Sequence, residues 1–330
     1  MSTVPKAVLY YSPGSIWSSV ALLALEEKGY GSDEVDLKPV DLSKGENYDT
    51  TYLRINSKAT VPALVVPLAN TLSEEVESRY KAITDSKAIV EFLDKSRSAT
   101  STTHTTSTAP APTLTPATVE FTNISNQIIT LLHSDIADPN RLLFFNAYDD
   151  ASLQALAKAV LPGIVTRHAA LEKNLSEAAS GRLQVSDKVI KLWSEKKAEQ
   201  EKIYAVLSEA DKSVSELTTE GKRTREAFME TAAKAWEDAK GVIVQLNKEI
   251  RGPFILGDQF SVADVHAIGW LARVLRLSGA RVDQDGSTAT GQLERRIGLE
   301  LDGKLGRTGE YWTAVKTRRA WLRVYAVELH

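Results

Sequence analysis

Residues 6–29 read KAVLYYSPGSIWSSVALLALEEKG. Lys6–Tyr11 is a short run rich in Val, Leu and Tyr that stops at Ser12-Pro13-Gly14, the pattern of a strand ended by a turn. Ser15–Tyr30 carries Val20, Leu22, Leu23 and Leu25 and finishes Glu26-Glu27-Lys28-Gly29, which reads as a helix opened at Ser15 and closed at Gly29. A strand turning directly into a helix is the first half of an α/β unit. Working outward, Val35–Leu42 and Val61–Val66 are further strand candidates. Ile89, Phe92 and Leu93 space an amphipathic helix behind Thr84-Asp85-Ser86. Residues 6–96 therefore read as an α/β domain.

Ser98–Thr118 contains no Asp, Glu, Lys or Arg and consists almost wholly of Ser, Thr, Ala and Pro. Such a stretch buries little apolar surface against its ordering entropy, so a flexible linker or a surface loop is expected. From Val119 onward the pattern is helical. Ile124, Ile128, Ile129 and Leu132 share one face. Ala151–Ala159 and Ile164–Ala178 flank Pro162-Gly163, where a break is expected. Ile203, Val206 or Leu207, Ala210, Val214 and Leu217 form one stripe, and Phe228, Ala232, Ala235 or Trp236, Ala239, Ile243, Leu246 and Ile250 a second. With Gly221 between them, these stripes predict a long antiparallel helical hairpin. Phe260-Ser261-Val262-Ala263-Asp264-Val265 has the form of a capping box with a hydrophobic staple, opening a fully apolar helix. His266 lies inside that apolar run and reads as a core histidine. Asp283–Arg307 reads as a polar, glycine-rich loop, and Tyr311–Val327 as a last amphipathic helix.

Composition narrows the function. The chain has 330 residues, 40 basic and 43 acidic side chains and a net charge of −3, so it lacks the basic excess of a nucleic-acid binder. It has no cysteine, which removes disulfides, thiolate metal sites and any protein-thiol mechanism. His104, His133, His168, His266 and His330 are scattered with no HExxH pair, so no metal centre is expected. No apolar run approaches the ~20 residues of a membrane span, and the start of the chain lacks a signal-peptide pattern. A cytoplasmic location is expected.

Four stretches carry a family resemblance: SIWSSVALLALEEKG (Ser15–Gly29), INSKATVPAL (Ile55–Leu64), TDSKAIVEFLD (Thr84–Asp94) and GPFILGDQFSVADV (Gly252–Val265). In this order and spacing the chain resembles a glutathione transferase with a tau- or omega-like opening. Ile16, Trp17 and Val20 replace the family's usual Pro, Phe and Arg, and Ser57 its Pro. The helical domain is longer than in an ordinary member, and the Ser/Thr/Pro segment is read as the mark of a fungal form. The resemblance implies a thioredoxin-like domain over 1–97, a linker over 98–118 and an all-helical domain with a long hairpin over 119–330. It also implies a homodimer, and a detoxifying enzyme that takes glutathione as co-substrate and a small hydrophobic electrophile as its partner.

Glutathione chemistry needs a thiolate, and a free thiol of pKa ~8.5 is mostly protonated at neutral pH. Lowering that value by ~2 units takes about 2.7 kcal/mol of preferential anion stabilisation. A hydroxyl at the positive end of a helix supplies part of it. Ser15 stands at that position, with Ser18 as the second candidate; a plain helix cap is the alternative role for Ser15. The resemblance gives Val61, before a cis Pro62, the pairing with the cysteinyl amide of glutathione, and sets Thr60 beside it. Lys58 is offered to the glycyl carboxylate or to solvent. Asp85 and Ser86 begin a helix and are offered to the γ-glutamyl end, or serve only as a cap. Trp17 marks the electrophile pocket. Without cysteine at the start of the first helix, thiol transfer is disfavoured against conjugation, peroxide reduction or ether cleavage. The competing reading is a non-catalytic protein on the same fold that binds glutathione or small aromatic ligands.

Overall fold

A computed structural model describes residues 6–67, 80–98, 107–299 and 304–330. In chain order these form β1 (Ala7–Tyr11), α1 (Ile16–Glu27), β2 (Val35–Pro39), α2 (Thr50–Leu53), β3 (Ala63–Pro67), β4 (Tyr80–Ile83) and α3 (Ser86–Ser96). Helices follow: α4 (Val119–Leu132), α5 (Pro139–Phe144), α6 (Asp150–Ala179), α7 (Asp187–Leu207) and α8 (Thr219–Glu249). The chain ends with α9 (Val262–Leu277), α10 (Gly286–Arg296), α11 (Gly306–Lys316) and α12 (Arg319–Val324). The Cα trace falls into two interleaved compact units, one of residues 1–39, 61–138 and 239–330, the other of 40–60 and 139–238.

The first unit is built on a four-stranded sheet in the order β2-β1-β3-β4, with β1 and β2 parallel and β3 antiparallel to both of its neighbours. The crossover from β1 to β2 is α1, as the turn and cap residues dictate. At its far end Tyr30 N–H donates to Leu25 O and Gly29 N–H to Glu26 O, a Schellman closure with Gly29 at φ +69°. A Cβ on Gly29 would also meet Pro110 O at 2.6 Å, so two separate constraints require glycine there.

That second contact shows what the Ser/Thr/Pro segment does. Residues 99–106 lie outside the described residues, but 107–118 is a strap tied to the first unit rather than a loose linker. Arg97 donates to the carbonyls of Ser107 and Ala109, and the Ser107 hydroxyl donates to Gly29 O at 2.7 Å. Asp94 accepts from the N–H groups of Leu114 and Thr115, and Leu114 O accepts from Val262 N–H. Composition missed this because the anchors are backbone groups, which every sequence carries.

The Ser261–Asp264 capping box forms as read: Ser261 N–H donates to Asp264 Oδ2 at 2.7 Å, and Ile255 N–H donates to Oδ1. Burial pushes the Asp264 carboxyl up to about 6 against these bonds. Two readings change at the C-terminal end. Asp283–Arg307 is not a loop throughout, because Asp285 caps α10, which buries Ala289 and Leu293. Its glycine is a packing residue: a Cβ on Gly286 would fall 1.8 Å from Gly309 O of α11. The final helix is two, α11 and α12, parted at Thr317-Arg318.

In the second unit the hairpin exists but is made by other segments. α6 runs unbroken through Pro162, because Leu153, Leu156 and Ala157 before it and Ile164 and Leu171 after it bury one continuous face. That packing outweighs the roughly 3 kcal/mol a helical proline costs. α6 and α7, joined by residues 180–186, form the antiparallel pair. The predicted first arm stops at Leu207, and Arg225 of α8 donates to the exposed carbonyls of Glu209 and Lys212 that follow it. Gly221 therefore sits in the first turn of α8 instead of at a hairpin tip.

Candidate functional site

The sheet register gathers the candidate residues at one end. Tyr10 of β1 pairs with Ala63 of β3, and Leu64 of β3 with Ile83 of β4. The chain leaving β1 toward Ser15, the chain entering β3 from Val61-Pro62 and the chain leaving β4 toward Asp85 therefore all emerge at the same end of the sheet.

At the first of these exits Gly14 takes φ +75°, which turns the chain into α1. Ser15 is the N-cap, its Oγ accepting from Ser18 N–H at 3.3 Å. Its own hydroxyl proton has no acceptor among the described residues, and the side chain is partly exposed, so it can donate to a ligand atom above the helix N-terminus. Ser18 differs. It is fully buried and its Oγ accepts from Ser12 N–H at 3.2 Å, which ties the turn to the helix. Of the two serines only Ser15 is presented outward.

At the second exit the Val61-Pro62 bond is cis. Neither the N–H nor the C=O of Val61 is hydrogen-bonded among the described residues, so both remain available to an added strand. The residues just before it belong to the second unit. There Thr60 O accepts from the Tyr52 hydroxyl at 2.6 Å and from Asn56 Nδ2 at 2.7 Å, and Thr60 Oγ1 accepts from Asn56 as well. Ala59, at φ +55°, is held by Asn47 Nδ2 on its carbonyl. Sequence reading assigned no role to Asn47, Tyr52 or Asn56, although Asn56 lies inside the quoted INSKATVPAL stretch. Lys58 is exposed.

At the third exit Asp85 is the N-cap of α3, accepting from Ala88 N–H at 3.0 Å. The N–H groups of Ser86 and Lys87 are uncommitted among the described residues, and Ser86 is buried in the first turn. A helix start with two free N–H groups favours a carboxylate, while the exposed Asp85 side chain favours an ammonium group. An α-amino acid end offers both.

Trp17 does not stand alone. The ring of His133, from just after α4, stacks on it at 4.0 Å between centroids. His133 Nε2 in turn meets Nδ1 of the fully buried His266 at 3.0 Å. His266 is the core histidine its apolar helix predicts, and its partner His133, 133 residues away, carries no spacing signal that links the two. Burial, helped by Lys87 and opposed by Asp85, lowers His133 to about 4, and burial lowers His266 well below its ordinary value. Both rings are neutral at pH 7.

This pair has a pH consequence. A histidine whose folded pKa lies below its unfolded value adds stability that is complete above about pH 6.5 and is lost as the pH falls toward 4. His330 shares the direction, through burial. Thermal unfolding of the native chain is therefore expected to move to lower temperature between pH 6.5 and 5, before most carboxylates titrate. His133→Gln with His266→Asn, which keep a polar atom at each bonded position, should flatten that dependence. An equal slope in the double variant would contradict it.

The family model described as "Glutathione S-transferase, N-terminal domain" matches residues 14–96. Over these residues the chain is similar to that family. The matched region includes Ser15, Val61-Pro62 and Asp85-Ser86. Solved structures extend the likeness over the whole chain. The β-etherase LigF from Sphingobium sp. strain SYK-6 is 13% identical, covering 98% of this chain and 99% of that one, with a TM-score of 0.54. A glutathione transferase family member from Pseudomonas fluorescens Pf-5, with two glutathione molecules bound, is 14% identical over 97% and 92% at 0.52. A glutathione S-transferase domain-containing protein from Marinobacter aquaeolei VT8 is 17% identical over 95% and 99% at 0.51. At these identities the shared property is the fold, a thioredoxin-like sheet followed by helices. No curated protein matches the sequence. Among the described residues no helix is long and apolar enough to cross a membrane, and no group of three His, Asp or Glu could hold a metal ion.

Proposed function

We propose that the chain is a glutathione transferase whose tripeptide lies along the end of the sheet in the first unit. The observation that carries this is the convergence, set by strand register, of three differently equipped exits. The γ-glutamyl end meets the N-terminus of α3, its carboxylate toward the N–H groups of Ser86 and Lys87 and its ammonium toward Asp85. The cysteinyl amide pairs with the N–H and C=O of Val61 beside cis Pro62. The sulfur then lies over the start of α1, where the Ser15 hydroxyl donates to it and the helix N-terminus favours its anion. Near Trp17 the thiolate attacks an electrophilic carbon of a small hydrophobic partner, forming a C–S bond as the leaving group departs with its electron pair. With a hydroperoxide it attacks an oxygen, breaking the O–O bond to give an alcohol and glutathione sulfenic acid, which a second glutathione converts to the disulfide and water. The glutathione seen in the Pseudomonas relative supports the tripeptide as ligand, and the β-etherase keeps ether cleavage among the reactions to screen. A homodimer in the cytoplasm is part of the same reading.

The test is thermal unfolding with and without millimolar glutathione, followed by turnover with electrophiles and hydroperoxides. A ligand present at 100 times its dissociation constant adds about 2.7 kcal/mol of stability. That shift is expected for the native chain and for Ser15→Ala, and is expected to vanish in Asp85→Ala. Ser15→Ala should instead lose roughly tenfold to a hundredfold in turnover, about 1.4 to 2.8 kcal/mol of thiolate stabilisation. No shift at any glutathione concentration would sink the proposal. A shift without turnover in any screen would leave a binding protein on this fold.

A further inference from the structure

The first helix has no charge of its own near its start: Ile16 to Leu25 is uncharged throughout. The cation comes from α9. Gly269 is the point of closest approach between the two helices, where a Cβ would meet Val20 Cγ2 at 2.6 Å and Ile16 O at 3.2 Å. Arg273 lies one turn further along the same face of α9 and is 2% exposed. Its Nη2 donates to Gly14 O at 2.6 Å, the carbonyl of the peptide unit that leads into Ser15. Its Nε and Nη1 have no hydrogen-bond partner among the described residues, and no described carboxylate forms an ion pair with it. Burial lowers it to about 10, with Arg276 adding to the effect, so it stays charged at neutral pH.

An unpaired buried guanidinium is a costly feature that a purely structural arginine would avoid by taking a carboxylate partner. Here the uncompensated charge sits behind the helix start on which the sulfur is placed. We propose that Arg273 is a positioning residue for the thiolate: a buried cation that acts through the Gly14 peptide and the N-terminus of α1 to stabilise the sulfur anion of glutathione held at Ser15. The inference rests on the glutathione reading above. Other groups around Arg273 are few. Arg276 lies on its own helix, exposed Asp138 follows α4, and Tyr325 and His330 come from the C-terminal segment with Ser19 of α1 beside them. Tyr325 and His330 are held neutral by burial, and Asp138 opposes the cation only from the surface. On the ligand side stand neutral His133, Asp85 and Lys87.

The test is a pH titration of the bound thiol, read by thiolate ultraviolet absorbance, after a binding isotherm for glutathione on each protein. Arg273→Gln should raise the thiol pKa by about one unit, the Coulomb effect of one charge at roughly 10 Å and an effective dielectric near 20. Arg273→Lys should stay nearer the native value, whereas a role in packing alone would move neither. Ser15→Ala, which leaves Arg273 in place, should keep part of the depression relative to free glutathione. An Arg273→Gln protein that binds glutathione with the native thiol pKa would overturn the inference. Should that variant not fold, Ser15→Ala decides: a thiol titrating as in free glutathione overturns it, and a retained depression supports it. Failure of the native chain to bind in the isotherm removes the glutathione reading itself, and this inference with it.

Discussion

Asp94→Ala is expected to destabilise the chain by about 3–5 kcal/mol, the loss that follows when one partner of a buried ion pair is removed. Asp94 Oδ1 accepts from Lys28 Nζ at 2.9 Å and from Leu114 N–H, while Oδ2 accepts from the N–H and hydroxyl of Thr115. The two side chains are 2% and 0% exposed, respectively. Lys28 has one further acceptor, Pro112 O at 2.6 Å. Removing the carboxylate would strand the buried Lys28 ammonium group and the Leu114 N–H, while the two Thr115 donors lie at the exposed edge of the strap. Asp94→Asn keeps the shape but turns an NH₂ toward donors, so an intermediate loss is expected. Lys28→Met with Asp94→Leu should lose less than the two single changes summed, because the stranded charge disappears with its partner. Burial pushes the Asp94 carboxyl up, but the Leu114, Lys28 and Thr115 bonds outweigh it and hold the group below its ordinary range. Its contribution is therefore present above the unfolded carboxyl pKa near 4 and is lost as the pH falls through the lower folded value. Urea unfolding at neutral pH is the measurement. A midpoint for Asp94→Ala matching the native one would mean that the strap over 107–118 is not held as described.

What was legible in the sequence was local. The turn at Pro13-Gly14, the cap at Ser15, the closure at Gly29 and the box at Ser261–Asp264 each satisfy backbone groups within a few residues, so spacing alone reveals them. Ser15 and Asp85 were readable as caps for the same reason, since each precedes a helix, whereas the cis form of Pro62 came from the family resemblance. The misreadings share a cause as well. Pro162 reads as a breaker and Gly286 as a loop signal until one sees the face each lies against, and no local pattern encodes that face. The Arg97, Lys28 and Asp94 side chains that organise the strap act across 10 to 84 residues of sequence. Arg273 reaches back 259 residues to Gly14. A guanidinium in an apolar helix carries no spacing signal that separates a buried tuning charge from a side chain snorkelling to solvent.

The largest effect in the second unit is expected from Trp193→Ala, at about 3–5 kcal/mol. The outer face of the hairpin is solvated charge, and the sequence offered no reason why the hairpin should matter to the rest of the chain. Trp193 on α7 supplies it. Its ring is fully buried in a cluster with Tyr48, Leu53, Ala59 and Leu171, and its Nε1 donates to Tyr48 O at 3.1 Å. Gly45, at φ +75°, lets the chain approach α6, where a Cβ would fall 3.1 Å from that of Ala170. Tyr48, Leu53 and Ala59 of residues 40–60 thus share one core with the hairpin. Truncating the indole removes that core's largest member and opens a cavity that two helices and a loop must share. Trp193→Phe keeps most of the apolar volume and loses one hydrogen bond, while Asn174 Nδ2 stays near the same carbonyl at 3.4 Å, so a loss of about 1–2 kcal/mol is expected. Hydrogen exchange distinguishes a shared core from two independent parts. In Trp193→Ala the amides of 40–60 and of α7 should lose protection together and by the same factor, because one cluster closes both. Protection retained over 40–60 while α7 opens would show that the loop stands without the hairpin, and the cluster would then be contact without coupling.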